Sequence, residues 1–189
     1  METDVSILIF ECLDYNKAMN YLESSLPVDE QLRTAMRQWA SGIGVVAAEY
    51  EGARHGMTVS SFTSVSADPP MVLVSLHKET RTHDLVLQSR AFGVTLLAAD
   101  QQQLSDRFAG RLGDDDDRFS GLETFSLVSG SPLLKGGLAV FDCRLEGSYD
   151  ANTTSVMFGV VLTARLSDRP EAELKPLLYH NRDYRSLLS

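Results

Sequence analysis

Apolar residues recur at helical spacing from Asp29 onward, at Leu32, Ala35, Met36, Trp39 and Ala40, with acidic residues at the start and Gly42 at the end. That spacing lays one apolar stripe along a helix. The rhythm then changes to short β-rich runs: residues 45–50, a turn at Glu51-Gly52, residues 55–59, and residues 71–76 after Pro69-Pro70. Gly and Pro punctuate them as they do strands. Residues 82–88 predict a short helix ahead of a strand over 92–97, and residues 100–108 predict a second helix with Asp100 as its cap. Residues 138–149 and 155–166 are long β-rich segments about a polar turn, and residues 170–179 predict a closing helix. Many strands with few helices imply a mainly β, antiparallel barrel with flanking helices, which solves the sheet-edge problem by closing. Residues 1–27 lack a clean period and end at Pro27, so they read as an N-terminal extension to one domain over 28–189.

Composition narrows the class. A chain of 189 residues suits one core, and 43% hydrophobic with 23% charged residues is ordinary for a globular protein. The net charge of −9 argues against nucleic acid or an anionic membrane as partner, since both need clustered Lys and Arg. No run approaches the ~20 apolar residues of a membrane span. Cys12 and Cys143 are too few for a disulfide framework and have no CxxC spacing, so a reducing cytoplasmic compartment is expected. The four aspartates from Asp114 to Asp117 read as a solvated loop.

Candidate chemistry is sparse. No strand leads into GxGxxG or a Walker loop, His55, His77, His83 and His180 have no metal-ligand spacing, and no GxSxG elbow is present. Trp39, Phe92, Phe141 and Phe158 read as core. What stands out is Thr58, Ser60, Ser61, Thr63, Ser64 and Ser66, six hydroxyls within nine positions, close to Gly56 and ending at Asp68-Pro69-Pro70. Hydroxyls and backbone N–H groups of that kind can donate to ribityl oxygens or a phosphate, and a glycine lets a planar ring approach the backbone. The same residues also suit a Ser/Thr-rich turn that satisfies its own backbone.

The segment Gly56-Met57-Thr58-Val59-Ser60-Ser61-Phe62 followed by Asp68-Pro69-Pro70 resembles the flavin-binding signature of the short-chain flavin reductases. The resemblance extends from about Leu32 to Leu187. It takes in Ser41 to Val46, the strand from Phe92 to Leu97, the helix ending in Phe108-Ala109, Arg118-Phe119, Ser131 to Leu134, Leu138 to Cys143, and Tyr179-His180 with Tyr184. It implies an FMN-binding split β-barrel that transfers a hydride from NADH or NADPH to FMN or FAD. It also implies a homodimer and a partner monooxygenase that receives reduced flavin. The implied flavin contacts are Thr58, Val59, Ser60 and Ser61, with Ser66 and Ala67 near the ribityl-phosphate chain and Thr95, Phe108 and Arg111 behind them. Arg111 reads either as a phosphate partner or as a surface ion pair, and Lys78 with Thr82 at a helix start is a competing phosphate site. Thr154 and Tyr184 are implied on the nicotinamide side. The sequence departs from the family pattern where Asn152-Thr153-Thr154 replaces Gly-Asp-His and where Thr95 replaces asparagine. A flavoenzyme with tightly held flavin acting on an organic substrate, a non-catalytic flavin-binding module and a non-flavin split barrel are the alternatives.

Overall fold

A computed structural model describes residues 26–113 and 117–187. The chain divides into two compact units, Met1–Trp39 and Ala40–Ser189. In the first, helix α1 spans Val28–Met36 and follows Pro27, with Asp29 and Glu30 in its first turn and an Asp29–Arg33 ion pair of 3.3 Å one turn apart. Leu32, Met36 and Trp39 are exposed, unlike the core placement read for Trp39. A stripe on nine residues satisfies the helical period without determining what covers it.

The second unit is built on strands. They are β1 (Ser41–Gly42), β2 (Gly44–Tyr50), β3 (Ala53–Val59), β4 (Thr63–Ala67), β5 (Pro70–His77), β6 (Ala91–Leu96), β7 (Thr124–Phe125), β8 (Leu133–Leu134), β9 (Ala139–Ala151), β10 (Thr154–Leu166), β11 (Leu178–His180) and β12 (Asp183–Arg185). Seven form one antiparallel sheet in the order β3-β2-β6-β9-β10-β5-β4, with a small β1-β11-β12 sheet and a β7-β8 ribbon beside it. The chain passes from edge strand β3 to edge strand β4 through residues 60–62 alone. There the Ser61 hydroxyl donates to Ser75 O (3.2 Å) and accepts from Ser75 N (3.0 Å), tying the crossing to β5.

The continuous apolar run of β2 has a cause in this arrangement. Val46 and Ala48 pack with Val74, Leu76, Phe92 and Met157 on one side, while Val45 and Ala47 pack with Leu97, Phe108, Phe119 and Leu177 on the other. With both faces covered, no position of β2 from Gly44 to Ala48 faces water, so the polar alternation of a one-sided strand is lost. Helix α2 (Arg81–Ser89) packs against β2 and β3, and helix α3 (Gln102–Phe108) also packs against both. Thr80 caps α2 by accepting from His83 N (3.3 Å).

Two local expectations change. Asp100 does not cap α3, because its carboxylate accepts from Arg169 (2.9 Å) and the cap position belongs to Gln101. Residues 170–179 do not make a helix. A single 3-10 turn, Glu171–Glu173, is followed by Pro176, which bridges Ala98 and cannot continue a helix, and then by β11 on β1.

Candidate functional site

Strand β3 pairs with β2 only, so among the described residues its outer edge is open. That edge faces a cavity of about 460 Å³ lined by His55, Met57 and Thr58 from the strand, by Glu79, Thr80 and Arg81 at the start of α2, and by Phe108, Ala109 and Arg118. A smaller recess of about 180 Å³ shares Thr58 and Ala109 with it and continues along Val59 and Ser60 to Ser105, Arg111, Tyr179 and Tyr184. The two adjoin through these shared residues as a groove along β3.

Each wall has a local cause. Thr58 donates to Ser105 O (2.7 Å), holding the end of β3 against α3. Gly56 leaves room for Phe108 and Phe119, since a Cβ there would stand 3.0 Å from Phe108 Cε1 and 3.1 Å from Phe119 Cζ. Arg118 Nη1 donates to Phe108 O (2.7 Å) and Gly56 O (3.2 Å), joining the helix end to the strand. Asp117, held low by its hydrogen bond from Arg54, anchors the same loop and accepts from Phe119 N (2.9 Å). At the other end, Tyr184 donates to Asp106 Oδ1 (2.8 Å) and lies 2.9 Å from Ser105 Oγ, while Arg111 meets Asp106 at 2.8 Å. Desolvation pushes the Tyr184 phenol up, so it stays neutral in the working pH range.

His55 is the most perturbed group of the groove. Its Nδ1 stands 2.8 Å from Thr82 Oγ1, and burial, followed by the charges of Arg118 and Arg81, pushes the imidazole down from 6.5 to about 4. A histidine whose folded pKa is depressed charges first in the unfolded chain. The ligand-free protein is therefore expected to be fully stabilised above about pH 6.5 and to lose stability as pH falls toward about 4. His55→Gln should flatten that part of the profile, and thermal melts at half-unit pH steps measure it. Parallel profiles for the two proteins would remove His55 from this role.

The groove brings together Thr58, Val59, Ser60, Phe108, Arg111 and Tyr184 of the residues read from the sequence. The others lie elsewhere. Ser61 is engaged with Ser75, Ser66 with the backbone of Asp68, and Ala67 is exposed on β4. Thr95 is buried and accepts from Leu134 N (3.1 Å). Thr154 opens β10 opposite His77 and lines neither recess. Thr82 is buried behind His55, and Lys78 pairs with Asp150 (2.6 Å). Sequence reasoning missed Arg81, Ser105, Asp106 and Tyr179, and read His55 as bland. The signals available were the helix start at residues 80–82 and a histidine at the head of the hydroxyl-rich strand. A larger recess of about 560 Å³, between the turn at Gly136-Gly137 and the end of β10, contains none of these residues.

The family model for a flavin reductase like domain matches residues 36–188. The chain belongs to the flavin reductase family. It is 40% identical over 151 residues to the NADH-dependent flavin reductase StyB of Pseudomonas fluorescens, covering 78% of this chain and 83% of that protein. Against HsaB of Rhodococcus jostii, the reductase subunit of a flavin-dependent monooxygenase, identity is 34% over 155 residues, covering 82% of this chain and 75% of that one. Among solved structures, BorF, the flavin reductase component of a bacterial two-component tryptophan halogenase, superposes with a TM-score of 0.76 at 36% identity, covering 85% of this chain and 99% of that one. The strand order described above is thus that of a flavin reductase split barrel.

Proposed function

We infer that this chain is a flavin reductase that binds FMN or FAD along the open edge of β3 and reduces it with NADH or NADPH, delivering reduced flavin to a partner monooxygenase. The observation that carries this reading is the groove itself. An unpaired strand edge offers backbone donors and acceptors to a planar heterocycle, and Thr58 and Ser60 line it with small polar side chains. Arg81 and Arg118 at one end suit a phosphate, so the donor set fits the group.

A flavin held there would supply a two-electron hydride acceptor at N5, and a dihydronicotinamide stacked against it would supply the hydride from C4. The chain supplies position. Val59 offers backbone and Ser60 a hydroxyl with no partner among the described residues, while the buried Phe108 closes the floor beside His55 and Thr58. No side chain is needed to form or break a bond. Tyr184 and the turn at Thr154 are read on the nicotinamide side, Arg111 beside Tyr184, and Ser66, Ala67 and Thr95 as support for the flavin segment. The working protein is read as a cytoplasmic homodimer, with residues 1–27 an extension to the domain over 28–189. Among the described residues no helix is long and apolar enough to cross a membrane.

Ser60 and Ser61 separate binding from folding. Ser60→Ala should weaken flavin binding about two- to tenfold, the worth of one hydrogen bond of about 0.5 to 1.5 kcal/mol. Ser61→Ala should lower stability by about 1 kcal/mol and change affinity less, because its hydroxyl is engaged with Ser75. Fluorescence titration and denaturant unfolding of both variants test the split, and the reverse ranking would contradict it. The function itself is tested by following nicotinamide absorbance with FMN, FAD or riboflavin added in turn. Absence of oxidation with every free flavin would overturn it.

A further inference from the structure

The proposed function gives His55 no role, although it lines the same end of the groove as Arg81 and Arg118. His55 faces it from β3, Arg81 from the start of α2 and Arg118 from the segment after the acidic loop, and Glu79 is the one carboxylate among the residues lining this end. The neighbouring Arg54 is occupied by Asp117 at 3.0 Å, and Ala48, opposite His55 on β2, is uncharged. Among the described residues His55 has one polar partner, the Thr82 hydroxyl at Nδ1. A hydroxyl both donates and accepts, so it serves Nδ1 of the neutral ring and Nδ1–H of the cation alike. With the Thr82 hydroxyl donating to Nδ1 of the neutral ring, Nε2 carries the proton; in the cation both nitrogens do, and Nε2 has no acceptor among the described residues. The ring is half-buried and lines the cavity, and with Nδ1 turned to Thr82 the Nε2 edge is the one left for an occupant of the cavity.

We propose that His55 reads the phosphoryl group of the bound flavin through Nε2–H and takes up a proton as the phosphorylated flavin binds, making it a specificity-determining residue for FMN and FAD over riboflavin. This rests on the flavin reading above. The cause is electrostatic. Without ligand, Arg81 and Arg118 oppose a charge on the ring, and burial opposes it further. A phosphoryl dianion between the two guanidiniums cancels their field and adds an acceptor, so both penalties on the imidazolium fall together. The proton goes to Nδ1, where the Thr82 hydroxyl turns to accept it.

If the ring returns to an ordinary pKa of about 6.5 in the complex, binding takes up about three-quarters of a proton at pH 6. The affinity contributed by His55 then rises about tenfold between pH 7.5 and 5.5. Calorimetry of FMN binding to the unmodified protein at pH 6, in two buffers of different ionisation enthalpy, counts that proton without any variant. Riboflavin is the control. The second arm compares FMN affinity of the parent and His55→Gln across the same pH range. Glutamine keeps a donor but cannot titrate, and the titration of the FMN phosphate itself cancels in the ratio of the two. The expected results are proton uptake with FMN but not riboflavin, and a parent-to-variant affinity ratio that grows about tenfold as pH falls.

Equal uptake with riboflavin, no uptake beyond the titration of the FMN phosphate itself, or a ratio independent of pH would overturn the proposal. So would an effect of His55→Gln confined to the KM for NADH, which would assign the site to a phosphoryl group of the nicotinamide cofactor. Failure of every flavin to bind the parent would instead overturn the reductase reading, and the two failures are distinguishable.

Discussion

Phe108→Ala is expected to lower stability by about 3 to 5 kcal/mol and to weaken flavin binding by at least about tenfold at temperatures where the variant is folded. The ring is fully buried, meets Phe119 edge-on at 5.0 Å between centroids, and stands directly behind Gly56. Truncation leaves a void the size of a phenyl ring, and the collapse that would fill it pulls on the Phe108 carbonyl that Arg118 holds. For a chain of this length each 1 kcal/mol corresponds to about 2 to 4 °C in melting temperature, so the midpoint should fall by roughly 6 to 20 °C. Phe108→Leu should recover more than half of both losses. A variant melting within about 2 °C of the parent, or one with unchanged flavin affinity, would show that the ring is neither core nor floor.

The second large effect lies away from the groove. Gly159 sits in β10 at a register shift against β9, where a Cβ would come to 2.5 Å from Phe92 Cζ and 3.0 Å from Cys143 Cβ. Phe92 is fully buried at the centre of the larger core cluster and has no room to yield. Gly159→Ala should therefore destabilise by about 2 to 3 kcal/mol, the upper part of the usual cost of overpacking. Flavin affinity, measured well below the melt, should stay within about twofold of the parent. Urea unfolding and flavin titration on one preparation check both halves. A neutral stability change would mean that Phe92 and the bulge relax more freely than their packing indicates.

These two positions differ in how far the sequence announces them. Phe108 closes the helix expected over 100–108 and is followed by Ala109-Gly110, and the family resemblance points at it. Gly159 is one glycine in a β-rich run, and its need arises only when β9 and β10 pair and Phe92 arrives from β6. The same distinction runs through the fold. The strands read at 45–50 and 55–59, observed over 44–50 and 53–59, and the turn at Glu51-Gly52 were legible because local chemistry and tertiary structure agree. The segment after Pro170 was misread because Glu171, Ala172, Glu173 and Leu174 favour a helix locally, and what overrides them is Pro176 and the open edge of β1 that Leu178 and Tyr179 complete. In the site, the hydroxyl-rich strand was visible as composition. The roles of its members were not, since whether a serine faces a groove, as Ser60 does, or grips a neighbouring strand, as Ser61 does, is decided by partners far along the chain. Arg81 and Arg118 lie 37 positions apart and meet only across the folded cavity.

The three-residue passage from β3 to β4 has a kinetic meaning. Ser60, which follows Val59 along the groove, is also the first residue of the crossing that joins the two edges of the sheet. If flavin binds along this groove, opening of the Ser61–Ser75 hydrogen bonds would free the crossing and the rim of the groove together, and the residence time of the flavin is expected to follow the exchange rate of the Ser75 amide proton.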